Sequence, residues 1–208
     1  MRPKQGHAVL ARSTAAIIAL IGISAIIVRF FLFYGRTGSA EQALWLMLRF
    51  YTVIGNGLAA VVFLAIALGS RRAFSPIMTG GVTLNMALIG IVYALLLRGL
   101  QHLTGMSLAI DWVMHDIQPP LVALFWLTFA PKKGLRWRDS WLWAVPPVLY
   151  FIYAMLRGQY GGGYPYPFIN VAKLGWPQTL LNATLICLAF VIAGWLLVWL
   201  GRRIARAG

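Results

Sequence analysis

Two short polar clusters interrupt the apolar runs of this chain, and both contain side chains that can do chemistry. In the first, Arg49, Thr52 and Asn56 are three and four residues apart, so a helix would place them on one face. In the second, His115 and Gln118 lie at the start of another apolar run. A hydroxyl beside an imidazole is a possible nucleophile and general base. Because lipid offers polar groups no hydrogen-bond partner, both clusters must face protein or water.

Thr52 and His115 each have an ordinary structural explanation as well. A threonine in a membrane helix commonly bonds to the carbonyl four residues earlier, here that of Leu48. A histidine near a helix end is often only a structural hydrogen-bonding group. Pro119 and Pro120 lack amide hydrogens, so the carbonyls of His115 and the residue after it lose their usual donors. This pattern predicts a helix that is locally opened at the histidine.

Other kinds of site have little support in the sequence. The histidines are His7, His102 and His115, and they show no metal-ligand spacing with one another or with the single cysteine, Cys187. No glycine-rich phosphate loop and no Gly-x-Ser-x-Gly motif is present. We therefore expect no metal and no cofactor, and nucleotide binding and the usual serine hydrolase chemistry lack support in the sequence.

The composition indicates an integral membrane protein. Of 208 residues, 61% are hydrophobic and 11% are charged, whereas a soluble domain has about a quarter of its residues charged. Several apolar segments are each near the roughly 20 residues that cross a bilayer, which predicts an all-α bundle of six membrane helices in a single domain, residues 1–208. The helices are predicted at about 13–33, 42–69, 74–97, 112–130, 139–157 and 177–200.

The basic residues are concentrated on one side of this predicted bundle. The net charge of +14 therefore indicates orientation, with both termini cytoplasmic, and not a nucleic-acid partner. Arg29 and Arg49 lie just inside the spans, where the long Arg29 side chain can snorkel to the interface. The segments on the amino-terminal side contain Arg2, Lys4, Arg12, Arg71, Arg72, Lys132, Lys133, Arg136, Arg138, Arg202, Arg203 and Arg206, and the opposite side contains Arg36, Arg98, Arg157 and Lys173.

The predicted topology brings the two polar clusters to the outer half of the bundle. At about 1.5 Å per residue, Thr52 lies about 13 Å and His115 about 5 Å from the outer ends of their helices. The connection 158–176 is also on this side, and its Tyr164–Phe168 aromatic residues either anchor at the headgroups or fold over the helix ends as a lid. A polar pocket open to the outer leaflet is expected, with further polar residues at Tyr93, Gln178 and Asn182.

Four stretches of the chain resemble a known family. These are Phe50–Asn56, His115 with Pro119, Phe129–Lys132 running into Leu135–Asp139, and Tyr164–Phe168. In these stretches the chain is similar to bacterial six-span relatives of the androgen-induced family, whose animal members are transmembrane threonine hydrolases. The resemblance implies a bacterial inner-membrane enzyme that hydrolyses fatty-acid esters of hydroxy fatty acids. It also implies that Thr52 is the nucleophile and His115 the base.

Two functions are consistent with the sequence. The first is an intramembrane lipid-ester hydrolase, in which Asp111 orients the imidazole and neighbouring side chains bind the substrate or its oxyanion. The second is a non-catalytic membrane protein, either a small-solute transporter or a scaffold, whose polar residues only stabilise the bundle; helices broken at Pro119–Pro120 and Pro146–Pro147 would suit a transporter. The candidates for substrate or oxyanion support are Arg49, Asn56, Asp111, Gln118 and Asn182.

Overall fold

The computed structural model describes residues 5–207, which form helices and connecting turns without a strand. The predicted basic residues Arg2 and Lys4 and the terminal Gly208 lie outside the described residues. The helices are α1 (Gln5–Thr37), α2 (Ala40–Met47), α3 (Tyr51–Ala67), α4 (Pro76–Val92), α5 (Gly105–Trp112), α6 (Gln118–Thr128), α7 (Asp139–Trp143), α8 (Val145–Arg157) and α9 (Val171–Ala207). Wide turns of the π type follow α4 (Tyr93–Leu97), join α5 to α6 (Val113–Ile117) and follow α8 (Gly158–Gly162).

Three helical segments are long and apolar enough to cross a membrane, namely Gln5–Thr37, Pro76–Leu97 and Val171–Ala207. A fourth is added if the bent pair α2 and α3 is counted as one span. The predictions of an all-α fold and of membrane-spanning helices are therefore confirmed at this level. Both terminal spans are longer than the sequence predicted, because α1 begins at residue 5 and α9, which is kinked at Gly175, continues to Ala207.

The helix predicted at 42–69 is wrong in its first half. The chain bends by 95° between α2 and α3, and no glycine or proline marks the break. Three tyrosine hydroxyls from distant segments bond to the backbone groups that the bend frees. Tyr153 donates to the Leu48 carbonyl at 3.3 Å and Tyr150 to the Arg49 carbonyl at 2.7 Å, while the hydroxyl of Tyr166 accepts from the Tyr51 amide at 2.9 Å.

The helix predicted at 112–130 starts earlier than expected. Its regular hydrogen bonding is interrupted near His115, as the positions of Pro119 and Pro120 predict. Helices α5 and α6 run without interruption from Gly105 to Thr128 through the wide turn Val113–Ile117, which contains His115. Gly90 of α4 faces this turn, and a Cβ atom there would lie 3.2 Å from the carbonyl oxygen of His115. The glycine therefore allows α4 to approach the opened turn closely.

Small residues bring α1 against α3. Ala15, Ala19 and Ala25 of α1 and Ala59 of α3 are at most 1% exposed, and a Cβ atom on Gly22 would lie 3.3 Å from the Cβ of Ala60. Small side chains permit this close approach of membrane helices, where packing and not water exclusion drives association. Helix α1 thereby forms a fixed wall behind the start of α3.

The carboxyl end of α6 is capped by Lys132. Its ammonium group donates to the carbonyls of Trp126, Leu127 and Ala130 at 2.7, 3.1 and 2.9 Å. These carbonyls have no helical donor, so the lysine supplies one of the interactions that a helix end needs. Burial lowers the pKa of Lys132. The contact fixes the carboxyl end of α6, which begins at Gln118 of the second polar cluster.

The segment predicted as one helix at 139–157 is divided into α7 and α8 before Pro146 and Pro147. After α8, residues 163–170 form an ordered connection, which we call the strap. Asn182 of α9 donates to the carbonyl of Phe168 in the strap at 2.9 Å. The rings of Tyr166 and Phe168 stack with centroids 5.3 Å apart. The strap turns Tyr166 inward over the start of α3, which agrees with the alternative in which this stretch folds over the helix ends as a lid.

Candidate active site

Thr52 and His115 meet in the structure. The hydroxyl oxygen of Thr52 lies 3.1 Å from Nε2 of His115, and both residues are 8% exposed. The two side chains were expected within direct or one-water hydrogen-bond reach, and the structure shows the direct contact. The distance is within the range in which a base can take the proton of a nucleophile.

The position of Thr52 within its helix differs from the sequence expectation. It is the second residue of α3 and not a residue deep inside a long helix, whereas His115 lies ten residues beyond the start of α5. The bond to the Leu48 carbonyl is absent, because Leu48 precedes the bend and its carbonyl accepts from Tyr153. The Thr52 hydroxyl is therefore directed to the imidazole and not to its own helix.

Asp111 holds the imidazole ring of His115 from the opposite side. Nδ1 of His115 lies 2.9 Å from the backbone carbonyl oxygen of Asp111 and 3.3 Å from its carboxylate oxygen Oδ1. Both neighbours are acceptors, so Nδ1 carries the hydrogen and Nε2 presents its lone pair to Thr52. The three residues form a nucleophile, a base and an orienting group in the order that hydroxyl catalysis requires.

Tyr93, in the wide turn after α4, completes this arrangement. Its hydroxyl donates to Oδ2 of Asp111 at 2.5 Å, and its ring stacks on the His115 imidazole with centroids 3.9 Å apart and planes 17° apart. The sequence placed Tyr93 in the outer half but gave it no role. Its contacts with both Asp111 and His115 fix the rotamers that the hydroxyl–imidazole pair needs.

Asn56 and Gln118 support the site from behind and do not line it. The amide group of Asn56 donates to the carbonyls of Thr52 at 2.8 Å and Met114 at 3.3 Å, and that of Gln118 donates to the Ile18 carbonyl at 3.0 Å. Both side chains are fully buried. Their amide nitrogens donate to backbone carbonyls, so the structure places both side chains in the scaffold around the site, and their predicted oxyanion role stays a prediction. They join α3 and α1 to the segment that carries His115.

Arg49 and Asn182 also differ from their predicted places. Arg49 lies in the bend before α3, where its guanidinium packs over the Phe50 ring at 4.9 Å, so it does not share a helical face with Thr52. Asn182 fixes the strap, and its Oδ1 accepts from Gln178 at 2.8 Å. Neither residue contacts the hydroxyl–imidazole pair. The bend turns Arg49 away from it, and Asn182 is hydrogen-bonded to the strap instead.

Tyr166 is the site residue that the sequence did not reveal. Its hydroxyl accepts from the amide of Tyr51, the residue before Thr52, and Tyr166 and Thr52 line the same two cavities. Burial raises the pKa of Tyr166, with contacts from the first residues of α3 acting in the opposite direction. The phenol therefore keeps its proton at neutral pH and can donate it in a hydrogen bond. Its place in the aromatic Tyr164–Phe168 stretch was the only sequence signal.

Two cavities meet at Thr52. One is an apolar groove of about 290 Å³, with Leu88, Phe151, Leu180 and Phe190 among its lining residues. The other is a polar cavity of about 310 Å³, lined by His115, Asp111, Tyr93, Arg29 and Lys173 together with the strap. Thr52, Leu97 and Tyr166 line both.

No group of three or more His, Cys, Asp or Glu side chains in residues 5–207 is placed to hold a metal ion. Comparisons with protein-family models, with curated proteins and with solved structures gave no match.

Proposed function

We propose that this protein is an intramembrane hydrolase of lipid esters in which Thr52 is the nucleophile and His115 the general base. The observation that carries the proposal is the 3.1 Å contact between the Thr52 hydroxyl and Nε2 of His115, with Nδ1 held by Asp111. An imidazole fixed on one side and open to a hydroxyl on the other is the activating arrangement of hydroxyl nucleophiles.

In the first half of the reaction, the Thr52 oxygen attacks the ester carbonyl carbon while Nε2 of His115 takes the hydroxyl proton. The imidazolium that forms is stabilised by the Asp111 carboxylate. As the tetrahedral intermediate collapses, the alkoxide leaving group takes the proton from Nε2 and departs as an alcohol. The acyl group remains as an ester of Thr52.

In the second half, His115 removes a proton from a water molecule, which attacks the acyl-threonine carbonyl. The intermediate collapses, the proton returns to the Thr52 oxygen and the fatty acid is released. The polar cavity beside His115 gives water access to this position, while the apolar groove holds the acyl chain. Both cavities have the volume of small ligand sites.

The oxyanion of each intermediate is bound by Tyr166 in this proposal. Its phenol lies beside Thr52, is protonated because burial raises its pKa, and is placed at the amino end of α3. The partial positive charge of a helix amino end favours negative charge near Thr52. A fixed donor at a developing oxyanion is among the largest single contributions to catalysis.

For the substrate class, we propose fatty-acid esters of hydroxy fatty acids or similar lipids, following the resemblance to the androgen-induced family. The arrangement of an apolar groove and a polar cavity on either side of Thr52 supports a substrate with an apolar acyl chain and a more polar second part. In the same proposal the chain lies in a bacterial inner membrane.

A covalent probe tests the proposal directly. A fluorophosphonate with an alkyl chain should label the purified protein, and peptide mapping should place the adduct on Thr52. Prior incubation with a lipid ester should slow the labelling, and His115→Ala should suppress it. An intact protein that is not labelled, or is labelled only elsewhere, would favour a non-catalytic transporter or scaffold.

Replacing Tyr166 by phenylalanine should lower kcat for ester hydrolysis about 10²- to 10³-fold, because it removes one oxyanion donor. KM should change little, since the phenol acts mainly in the transition state. The measurement is steady-state hydrolysis with Tyr160→Phe, an exposed tyrosine of the same connection, as the matched control. A wild-type kcat in Tyr166→Phe would remove the phenol from the mechanism.

We further propose six spans with both termini in the cytoplasm, based on the asymmetric basic residues. Reporter fusions after Gly35, Leu103 and Gly163 should then be non-cytoplasmic, and a fusion after Gly208 cytoplasmic. If residues 132–138 were instead accessible from outside, the site would face the inner leaflet.

A further inference from the structure

Arg29 is a cation without a partner inside the polar cavity. It lies eight residues before the end of α1, about 12 Å along the helix axis. Its Nε atom is buried without a hydrogen-bond partner, and no carboxylate of residues 5–207 forms an ion pair with it within 4.0 Å. Its side chain lines the cavity that contains His115.

Three other arginines have partners, whereas Arg49, which like Arg29 contacts only an aromatic ring, is not among the residues that line the polar cavity. Arg36 donates to Ser107 at 3.2 Å, Arg98 pairs with Asp116, and Arg157 bonds to Tyr153 at 2.8 Å. Arg29 has only the face of Phe33, with its guanidinium carbon 5.6 Å from the ring centre. A buried guanidinium nitrogen without a partner is costly, and an ionisable residue inside a membrane helix commonly marks a binding site.

The cavity as a whole favours an anion. Its charged lining residues are Arg29, Lys173 and Asp111, together with His115. Asp111 is already engaged by Tyr93 and His115. The cavity is therefore lined by two cationic side chains and by one carboxylate, whose oxygens already bond to Tyr93 and His115.

We propose that Arg29 binds one anionic group, a carboxylate or a phosphate, carried by the amphiphilic ligand of this site. Because Thr52 lies between the cavities, the anionic part occupies the polar cavity while an alkyl chain occupies the apolar groove. The proposed orientation of a substrate rests on the proposed hydrolase function. The proposed binding of an anionic amphiphile does not, because it needs only the unpaired guanidinium and the two cavities.

Binding of non-hydrolysable ligands tests the inference without any turnover. Apparent affinities for dodecanoate, dodecyl phosphate, dodecanol and inorganic phosphate are measured by thermal stabilisation of the protein in neutral-lipid nanodiscs. At least one anionic amphiphile should bind roughly 10- to 100-fold more tightly than dodecanol, as a charge-assisted hydrogen bond provides. Arg29→Gln should remove that preference, Arg29→Lys should keep part of it, and Arg36→Gln, on the same helix outside the cavity, should keep all of it.

Three results would overturn the inference. They are equal binding of dodecanol and both anions by the wild type, a preference that survives Arg29→Gln, and Arg29-dependent binding of inorganic phosphate as strong as that of dodecyl phosphate. The tighter of the two anionic amphiphiles assigns the headgroup. The ratio of kcat/KM for matched anionic and neutral esters should fall in Arg29→Gln by the same factor. If the wild type hydrolyses neither ester, the proposed function fails while the binding result still decides the role of Arg29.

Discussion

Replacing Thr52 by alanine should reduce ester turnover about 10⁴-fold or more, as losses of a hydroxyl nucleophile do in other hydrolases. The same change should leave the melting temperature close to that of the wild type, because a single hydroxyl contact between membrane helices contributes only about 0.6 kcal/mol. Thr52→Val should behave alike, since it also lacks the hydroxyl. The measurements are lipid-ester hydrolysis and thermal unfolding on the same preparations.

A matched control is available in α4. Thr79 is also buried, but its hydroxyl donates to the Ser75 carbonyl of its own helix at 2.7 Å, far along the chain from the site. Thr79→Ala should therefore keep wild-type turnover. Wild-type turnover in Thr52→Ala would show that Thr52 is an ordinary helix threonine and would favour the non-catalytic function.

Removing the imidazole with His115→Ala should reduce turnover almost as much as removing Thr52. The double variant Thr52→Ala with His115→Ala should be no slower than the worse single variant, because a nucleophile and its base act as one unit. Turnover of both single variants and the double variant is measured at one pH with the same ester. His102→Ala, which changes an exposed histidine, should leave turnover unchanged.

A purely structural His115 would give a different pattern. The alanine variant would strand the carboxylate and carbonyl of Asp111 and the Thr52 hydroxyl, which lose their partner in a buried place. The melting temperature would then fall while any turnover changed in proportion to the folded fraction. Effects of the two single variants that simply add would likewise contradict a joint catalytic role.

The pairing of Thr52 with His115 could be predicted because it depends on few and local facts. Polar side chains inside apolar runs must find partners, and Pro119 and Pro120 mark the turn that opens at His115. The depths estimated for the two residues were nevertheless wrong. Polar residues inside apolar segments predict that such residues contact each other. They say much less about the position along each helix at which they do so.

The bend before α3 could not be predicted, because its cause lies far away in the chain. Residues 48–50 contain no helix-breaking residue, and the freed backbone groups are satisfied by Tyr150, Tyr153 and Tyr166. Tertiary hydrogen bonds therefore override a local preference for helix. The same bend removes Arg49 from the predicted face and places Thr52 at a helix start beside Tyr166.

The sequence identified Asn56 and Gln118 as site residues but did not predict their bonds to backbone carbonyls. Spacing placed Asn56 on the face of Thr52 and Gln118 on that of His115, and both faces are indeed buried. The direction in which a carboxamide points depends on which carbonyls the neighbouring helices offer. Here those carbonyls belong to Thr52, Met114 and Ile18, so the amide groups serve the scaffold.

The wide turn Val113–Ile117 makes the site depend on how many residues the helix contains as well as on which they are. The amide of Gln118 bonds to the carbonyl of Val113, five residues back, so this turn holds one residue more than a regular helical turn. Deleting one residue inside the turn, for example Asp116, would let the helix close with regular bonds while the helices on either side keep their orientation, because the wide turn is what absorbs the extra residue. The change would fall on the residues inside the turn, His115 among them, whose imidazole would no longer point at Thr52. A single deletion here would therefore separate the imidazole from the hydroxyl although Thr52, His115 and Asp111 were all still encoded.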